Sequence, residues 1–305
     1  MLDYMLATGL RKPRFKLVPL KDSSFAASHR SVCLFNNKIY AAGGLGAATT
    51  SLNNFGVYDI ATDTWSALQL LPVASRSGTI GINGNRLVYM GGYNQGPNTI
   101  SNSIYTYNLS TNQWTLAANQ QSPTRFETVY ETLANGMQYV FGGQAGTPQV
   151  TAQRVDLTQS QVSFTNLISM NVALRAAGSL FDGGHYIYVA GGATSTVTFS
   201  TTFERYDITT GNWKKLADLP VGASYVHMII WDNKLHALIT NPGGVYTNQL
   251  YVYDIAKDSW SYVTHVDGEV HALTKSVIHN GELYLIGGWN GTNRLAKVSK
   301  LVRYY

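Results

Sequence analysis

The chain has 305 residues, a formal net charge of +5 and 45% hydrophobic content, enough for one large all-β core or two smaller ones. Only 13% of it is charged, about half the usual share of roughly 25%, and Ser, Thr, Asn and Gln together outnumber the charged residues about two to one. That composition excludes a coiled coil or a disordered chain, and the single cysteine, Cys33, excludes an intrachain disulfide.

At the N-terminus, MLDYMLATGLRKPRFK puts Asp3 first, keeps its apolar stretch short and places its basic cluster last, which is not the order of a secretory signal. Residues 1–13 read as a tail or anchor and 14–305 as the domain. RFKLVPL resembles the later stretches WSALQLLP and WKKLADLP, so a strand is predicted over residues 14–20.

From there the chain repeats one theme. The first unit has the apolar run VCLF, where Cys33 reads as a small buried hydrophobe, then the turn Asn36-Asn37, Gly43-Gly44, Tyr58-Asp59 and Trp65. The second has Asn83-Gly84, Gly91-Gly92, Tyr107-Asn108 and Trp114. The third keeps Asn135-Gly136 and Gly142-Gly143 but has Val155-Asp156 and Val162 in place of the aromatics. The fourth restores Asp182-Gly183, Gly191-Gly192, Tyr206-Asp207 and Trp213. The fifth has Asp232-Asn233, Tyr253-Asp254 and Trp260, with Ile239-Thr240 where the glycines belong. The sixth has Asn280-Gly281 and Gly287-Gly288, after which 17 residues remain.

Successive Gly pairs are 48, 51, 49 and 96 residues apart, the last gap being two periods. Asn-Gly and Asp-Gly between apolar runs are strong hairpin signals, because both central residues need positive φ. Each unit therefore predicts four short strands, and such units bury their faces only by stacking on neighbours. The sixth unit lacks an outer strand. Phe15 stands at the Trp spacing ahead of Gly43, so the N-terminal strand is expected to complete the sixth unit and to hide its open edge.

This pattern resembles the Kelch repeat of β-propellers over nearly the whole chain, from about Phe15 to the end. The resemblance implies an all-β, six-bladed propeller of four-stranded antiparallel blades. It also implies that the Gly pairs allow close strand packing while Tyr and Trp fill the space between blades. The third and fifth blades, which lack part of the pattern, are expected to be less regular.

At the start of each innermost strand stand Arg30, Arg76, Arg125, Arg175, Tyr225 and His271. Four guanidiniums around one mouth of the channel would form an anion site. The alternative is that these arginines bond loop carbonyls, as many Kelch arginines at this position do. The loops after the Gly pairs are polar and uncharged, and Tyr93, Tyr246 and Trp289 in them are candidates for glycan or peptide contact.

Catalytic patterns are sparse. No Cys or His spacing suits a metal, and Cys33 in an apolar strand does not suit a copper oxidase resembling galactose oxidase. Six-bladed Kelch sialic-acid epimerases are the enzymatic relatives that the resemblance suggests; they would need an acid/base group in the channel, for which Glu127 beside Arg125 is the candidate. The tight consensus of ubiquitin-ligase adaptors is not matched closely, and the dimerisation domains that accompany them are not expected. No basic-aromatic interleaving supports nucleic acid binding.

The expectation is a non-catalytic binding or structural propeller without cofactor, docked on a protein partner in a larger assembly and able to meet a surface glycan. A virion, as phage tail or collar component, or an extracellular surface is the expected location, with the cytoplasm as the alternative. Charge supplies one further expectation. Residues 1–20 carry a net +3 and residues 291–305 a net +4, so the remainder of a chain of net +5 carries about −2. Arg11, Lys12, Lys297 and Lys300 are therefore expected to form a docking patch for an acidic partner.

Overall fold

Every hairpin turn and Gly-pair position falls where the sequence period puts it. The computed structural model describes residues 13–305 and, of residues 118–121, the backbone alone. Each period is a four-stranded antiparallel sheet, and six such blades form a ring. Blade 1 runs outward from Ser31–Phe35 through Lys38–Ala42 and Phe55–Asp59 to Thr64–Ala67. The innermost strands of blades 2 to 6 are Thr79–Asn83, Val129–Thr132, Gly178–Phe181, His227–Trp231 and Ser276–His279.

Blade 6 is closed by the N-terminus: Arg14–Pro19 pairs antiparallel with Val298–Tyr304 as its outer strand. The register revises one residue. Leu17 faces Leu301, which faces Leu283, as Trp65 faces Tyr58 and Tyr58 faces Ile39 in blade 1. Leu17, not Phe15, is thus the counterpart of the tryptophans. A shift of two residues keeps the same face of a strand, and Phe15 instead stacks on Trp231 of blade 5 with ring centroids 5.7 Å apart.

Blade 3 carries a similar correction. Val155 faces Phe164, not Val162, because the turn from Asp156 to Ser163 is two residues longer than that from Asp59 to Thr64. With an aromatic back in place, blade 3 has an unbroken register. The irregularities fall in blade 2, between Ser103 and Tyr105, and in blade 5, between Leu250 and Tyr251.

The repeated markers have local chemical reasons. The Asp of each Tyr-Asp caps the turn that follows: Asp59 Oδ1 accepts the Ala61 and Thr62 N–H groups at 3.0 and 3.3 Å, and Asp254 Oδ1 accepts those of Ala256 and Lys257, both at 3.1 Å. In blades 1, 2 and 5 the tyrosine hydroxyl donates to the acid or amide five residues on, as Tyr58 does to Asp63 at 2.7 Å. Each indole N–H donates to the preceding blade, from Trp65 to Lys21 O, Trp114 to Gln69 O, Trp213 to Ile168 O and Trp260 to Ala217 O, at 2.8–3.0 Å.

The Gly pairs dock on the following blade. At Gly43, φ is +61° and a Cβ would lie 2.1 Å from Ser75 O, so no side chain fits. The next N–H, that of Gly44, donates to the same oxygen at 2.9 Å, and Gly92, Gly143, Gly192 and Gly288 repeat the bond at 2.7–3.0 Å. Blade 5 has a short 3-10 turn, Pro242–Gly244, after the missing glycines, and among the described residues it makes no such bond to blade 6. Among the described residues no helix is long and apolar enough to cross a membrane.

Candidate functional site

One residue per blade turns the chain into its innermost strand: His29, Ser77, Glu127, Ala176, Tyr225 and Leu273, all with φ of 50–56°. For residues with a Cβ this conformation costs on the order of 1 kcal/mol each. It is held by a chain of backbone bonds around the axis: His29 N–H to Leu273 O, Ser77 to His29, Glu127 to Ser77, Ala176 to Glu127 and Tyr225 to Ala176, at 2.7–3.0 Å. The ring narrows the channel at the end that carries the loops following the Gly pairs.

Glu127 is the centre of a charged cluster on this ring. Its side chain is 4% exposed. Arg76 Nη1 donates to Oε1 at 3.0 Å, Arg175 Nη1 donates to Oε2, and His29 Nε2 lies 3.9 Å from Oε1. Burial alone would raise the Glu127 carboxyl, but His29, Arg175 and Arg76 outweigh it and hold the group below the usual carboxylate range. Burial pushes His29 down to about 4, against the pull of Glu127 and with the help of Arg76, Arg294 and Arg175. Neutral at pH 7, His29 meets Ser28 Oγ at 2.8 Å through Nδ1 and packs edge-on to Tyr225 with centroids 5.6 Å apart.

The rim is aromatic and basic. Arg76 lies over Tyr93 and Phe126, 4.9 and 5.2 Å from their centroids. Arg294 lies over Trp289 at 5.0 Å, its Nε buried without a partner. Tyr246 is 40% exposed and lies against the loop at Gly291, where a Cβ would come 3.1 Å from its ring. Tyr93 bonds Asn98 within its own loop and stacks on Phe126 at 5.0 Å. Arg76, Arg175 and Arg294 against Glu127 leave two positive charges in excess at this mouth, with the neutral His29 between them.

The ring of four arginines expected from the sequence does not form. Arg76 and Arg175 occupy the same register position, one residue before the ring. Arg30 stands one residue after the ring and Arg125 two before it, so their side chains leave in other directions. Arg30, 1% exposed, donates to Ser23 Oγ at 3.0 Å and to Phe25 O, and lies over the Phe25 ring. Arg125 donates to Gly142 O at 2.9 Å and to Gln153 inside blade 3. His271, at the same register position in blade 6, meets Gly287 O at 2.7 Å through Nδ1. Glu127 was legible as an acid near the channel; His29 and Arg294 were not, because their neighbours come from distant blades.

The expected basic docking patch also changes. Lys297 pairs with Glu269 at 3.1 Å, Lys300 with Glu282 at 2.8 Å and Arg303 with Asp232 at 2.6 Å. Acids remote in sequence thus neutralise the C-terminal cations. Arg11 and Lys12 lie outside the described residues. Cys33 is buried, its thiol pushed up by burial. Among the described residues no group of three His, Cys, Asp or Glu is placed to hold a metal.

Residues 28–238 match the family model described as the KLHDC2/KLHL20/DRC7 Kelch-repeats domain. Kelch-like protein 25 of Xenopus tropicalis is 23% identical over 82% of this chain and 43% of its own length. Kelch-like protein terF of Aspergillus terreus is 27% identical over 72% of this chain and 50% of its own length. The chain therefore spans half or less of these curated relatives. A solved structure titled "Structure of YjhT" superposes with a TM-score of 0.76 at 16% identity, covering 94% of this chain and 99% of that one, which shows a shared fold.

Proposed function

The chain belongs to the Kelch-repeat family, and from that premise we propose that it is a non-catalytic binding propeller that grips an acidic segment of a protein partner at its loop-bearing mouth. The observation that carries this reading is the excess of guanidinium over carboxylate there, with Arg294 bound to no acid and lying over the half-buried Trp289, and with the exposed Tyr246 on the same rim. Guanidinium forks suit carboxylates, and Tyr246 and Trp289 offer rigid contact area next to them. The charge-poor, Asn- and Thr-rich loops fit an assembly outside the cell, so a virion or extracellular surface remains the proposed location. Co-sedimentation of the protein with such a particle tests that part.

The binding reading is tested with arrayed acidic peptides and their Asn/Gln counterparts, read by fluorescence polarisation, beside a glycan array. Acidic peptides should bind and weaken with salt. Arg294→Gln, which removes no partner of Glu127, should lose about tenfold in affinity with its melting temperature unchanged. Equal binding of the neutral peptides overturns the reading, and binding confined to the glycan array replaces the protein partner with a sugar.

A second reading, sugar-modifying chemistry, is favoured by one observation: a buried carboxylate lies 3.9 Å from a neutral imidazole at the mouth. Against it, both Glu127 oxygens are engaged by arginines and its basicity is reduced. Turnover of a sugar that disappears in His29→Gln would establish it.

A further inference from the structure

On the far side of the ring, the innermost strands enclose an axial cavity of about 600 Å³, within the range of small-molecule sites. All six blades line it. Its inner end is bounded by Tyr225 and Ala177, and the hairpin residues Gly84 and Ala134 line its other end, where they are exposed. It thus opens on the face opposite the candidate site described above.

Innermost strands leave alternate backbone groups unpaired toward the axis. Tyr130 of blade 3 uses one such pair across the channel: its hydroxyl accepts from Val32 N–H of blade 1 at 3.1 Å and donates to Val32 O at 3.2 Å. The Tyr130 ring is thereby fixed as a bar, and Lys275 Nζ of blade 6 lies 4.0 Å from its centroid. Among the described residues no hydrogen bond or ion pair reaches that ammonium. Glu131, beside Tyr130, accepts from Ser179 Oγ of blade 4 at 2.6 Å through Oε1 alone. Lys275 and Glu131 feel each other's charge, yet no ion pair joins them.

We propose that this channel binds a small zwitterion of the amino-acid class, its carboxylate taken by Lys275 and its ammonium by Glu131. Both groups are half-buried on the channel wall, where a free cation and a half-satisfied anion are less well solvated than at the open surface. A ligand carrying the complementary pair of charges satisfies both while leaving the net charge unchanged. A lone anion or a lone amine would answer only one of them. The Tyr130 face sets the position of the ammonium, and the Ser179 hydroxyl sets that of the carboxylate. Burial pushes Lys275 down to about 8, against the pull of Glu131, and His227 of blade 5 is the other titratable group that feels it. A bound carboxylate would raise Lys275 again, so binding should take up protons near pH 8.

Isothermal titration of the full chain with the free amino acids, their decarboxylated amines and their N-acetyl forms tests this. One or more amino acids should bind, and the amine and N-acetyl form of each should bind at least about tenfold more weakly. Lys275→Met should abolish the preference over the amine, and Glu131→Gln the preference over the N-acetyl form. The double variant Lys275→Met/Glu131→Gln leaves no uncompensated charge; it should melt no lower than the parent and bind nothing. The proposal is overturned if no amino acid binds at about 10 mM, if either singly charged analogue binds as well as its parent, or if the double variant retains affinity.

Discussion

Glu127 shows how one residue's value depends on where the chain places it. In sequence it stands two residues after Arg125, but in space its partners are Arg76 and Arg175, from the neighbouring blades. Glu127→Gln leaves those guanidiniums uncompensated and should cost about 3 kcal/mol in urea unfolding. Because the folded carboxyl lies below its usual value, its contribution is present above the unfolded pKa and lost as pH falls through the folded one. The gap between parent and variant should therefore close in melts taken below about pH 4. Lys275 has the opposite sign. Its ammonium is displaced from a usual 10.5 to about 8, so the unfolded state binds more protons between these values. Lys275→Met should raise stability by about 1–2 kcal/mol at pH 7, and the gain should shrink as melts are moved from pH 8 toward pH 10.5. A gain that stays constant with pH would show that the lysine is solvated in the folded state.

At the scale of the strand and the blade, the outer aromatic does two separable things. Trp213 packs against Phe141 and Tyr206, with centroids 4.9 and 5.1 Å away, and donates its N–H to Ile168 O of blade 3 at 2.8 Å. Trp213→Ala should cost about 3 kcal/mol, the lower end of the usual range because the ring is not fully buried. Trp213→Phe keeps most of the packing and should cost about 1 kcal/mol for the lost hydrogen bond. Equal losses in urea titrations of the two variants would mean that the latch, not the ring, holds the blades. Phe164 and Leu17 stand at the same register position without an N–H, so blades 3 and 6 lack the latch.

Across the whole ring, three bonds recur between neighbouring blades: the indole latch, the Gly-pair N–H to the next blade, and the bond between ring residues of positive φ. Only between blades 5 and 6 are all three missing among the described residues. There Leu17 N–H donates to Asp267 O at 2.7 Å, Trp231 Nε1 donates to Gly281 O at 2.9 Å, and Phe15 stacks on Trp231. This seam is also where the terminal strand completes the ring. Native-state hydrogen exchange should show the amides of Ser276–His279 and Arg14–Pro19 opening at lower free energy than those of the innermost strands of blades 1 to 4. Uniform protection around the ring would mean that the substitute contacts are as strong as the recurring ones.

What the sequence determined by itself is the architecture: the period, the hairpins, the Gly pairs and the need for an N-terminal strand in blade 6. These are local requirements, set by positive φ, alternation and spacing within about 50 residues, and a chain that repeats them six times states them plainly. The register was legible to within two residues; a turn lengthened between Asp156 and Ser163 or a Leu in place of Trp preserves the face while moving the marker. The site was decided by tertiary structure. Arg76, Arg175, Arg294, His29 and Glu127 come from blades 1, 2, 3, 4 and 6; the repeat relates His29 to Glu127 and Arg76 to Arg175 by two periods each, but no spacing says that the five converge. An offset of two residues about the ring turned Arg30 into a loop clamp, and Glu269 and Glu282 neutralised Lys297 and Lys300. Closing six blades around an axis brings side chains together according to their height on the inner strands, and that height depends on the register of each blade with its neighbours, which local pattern does not encode.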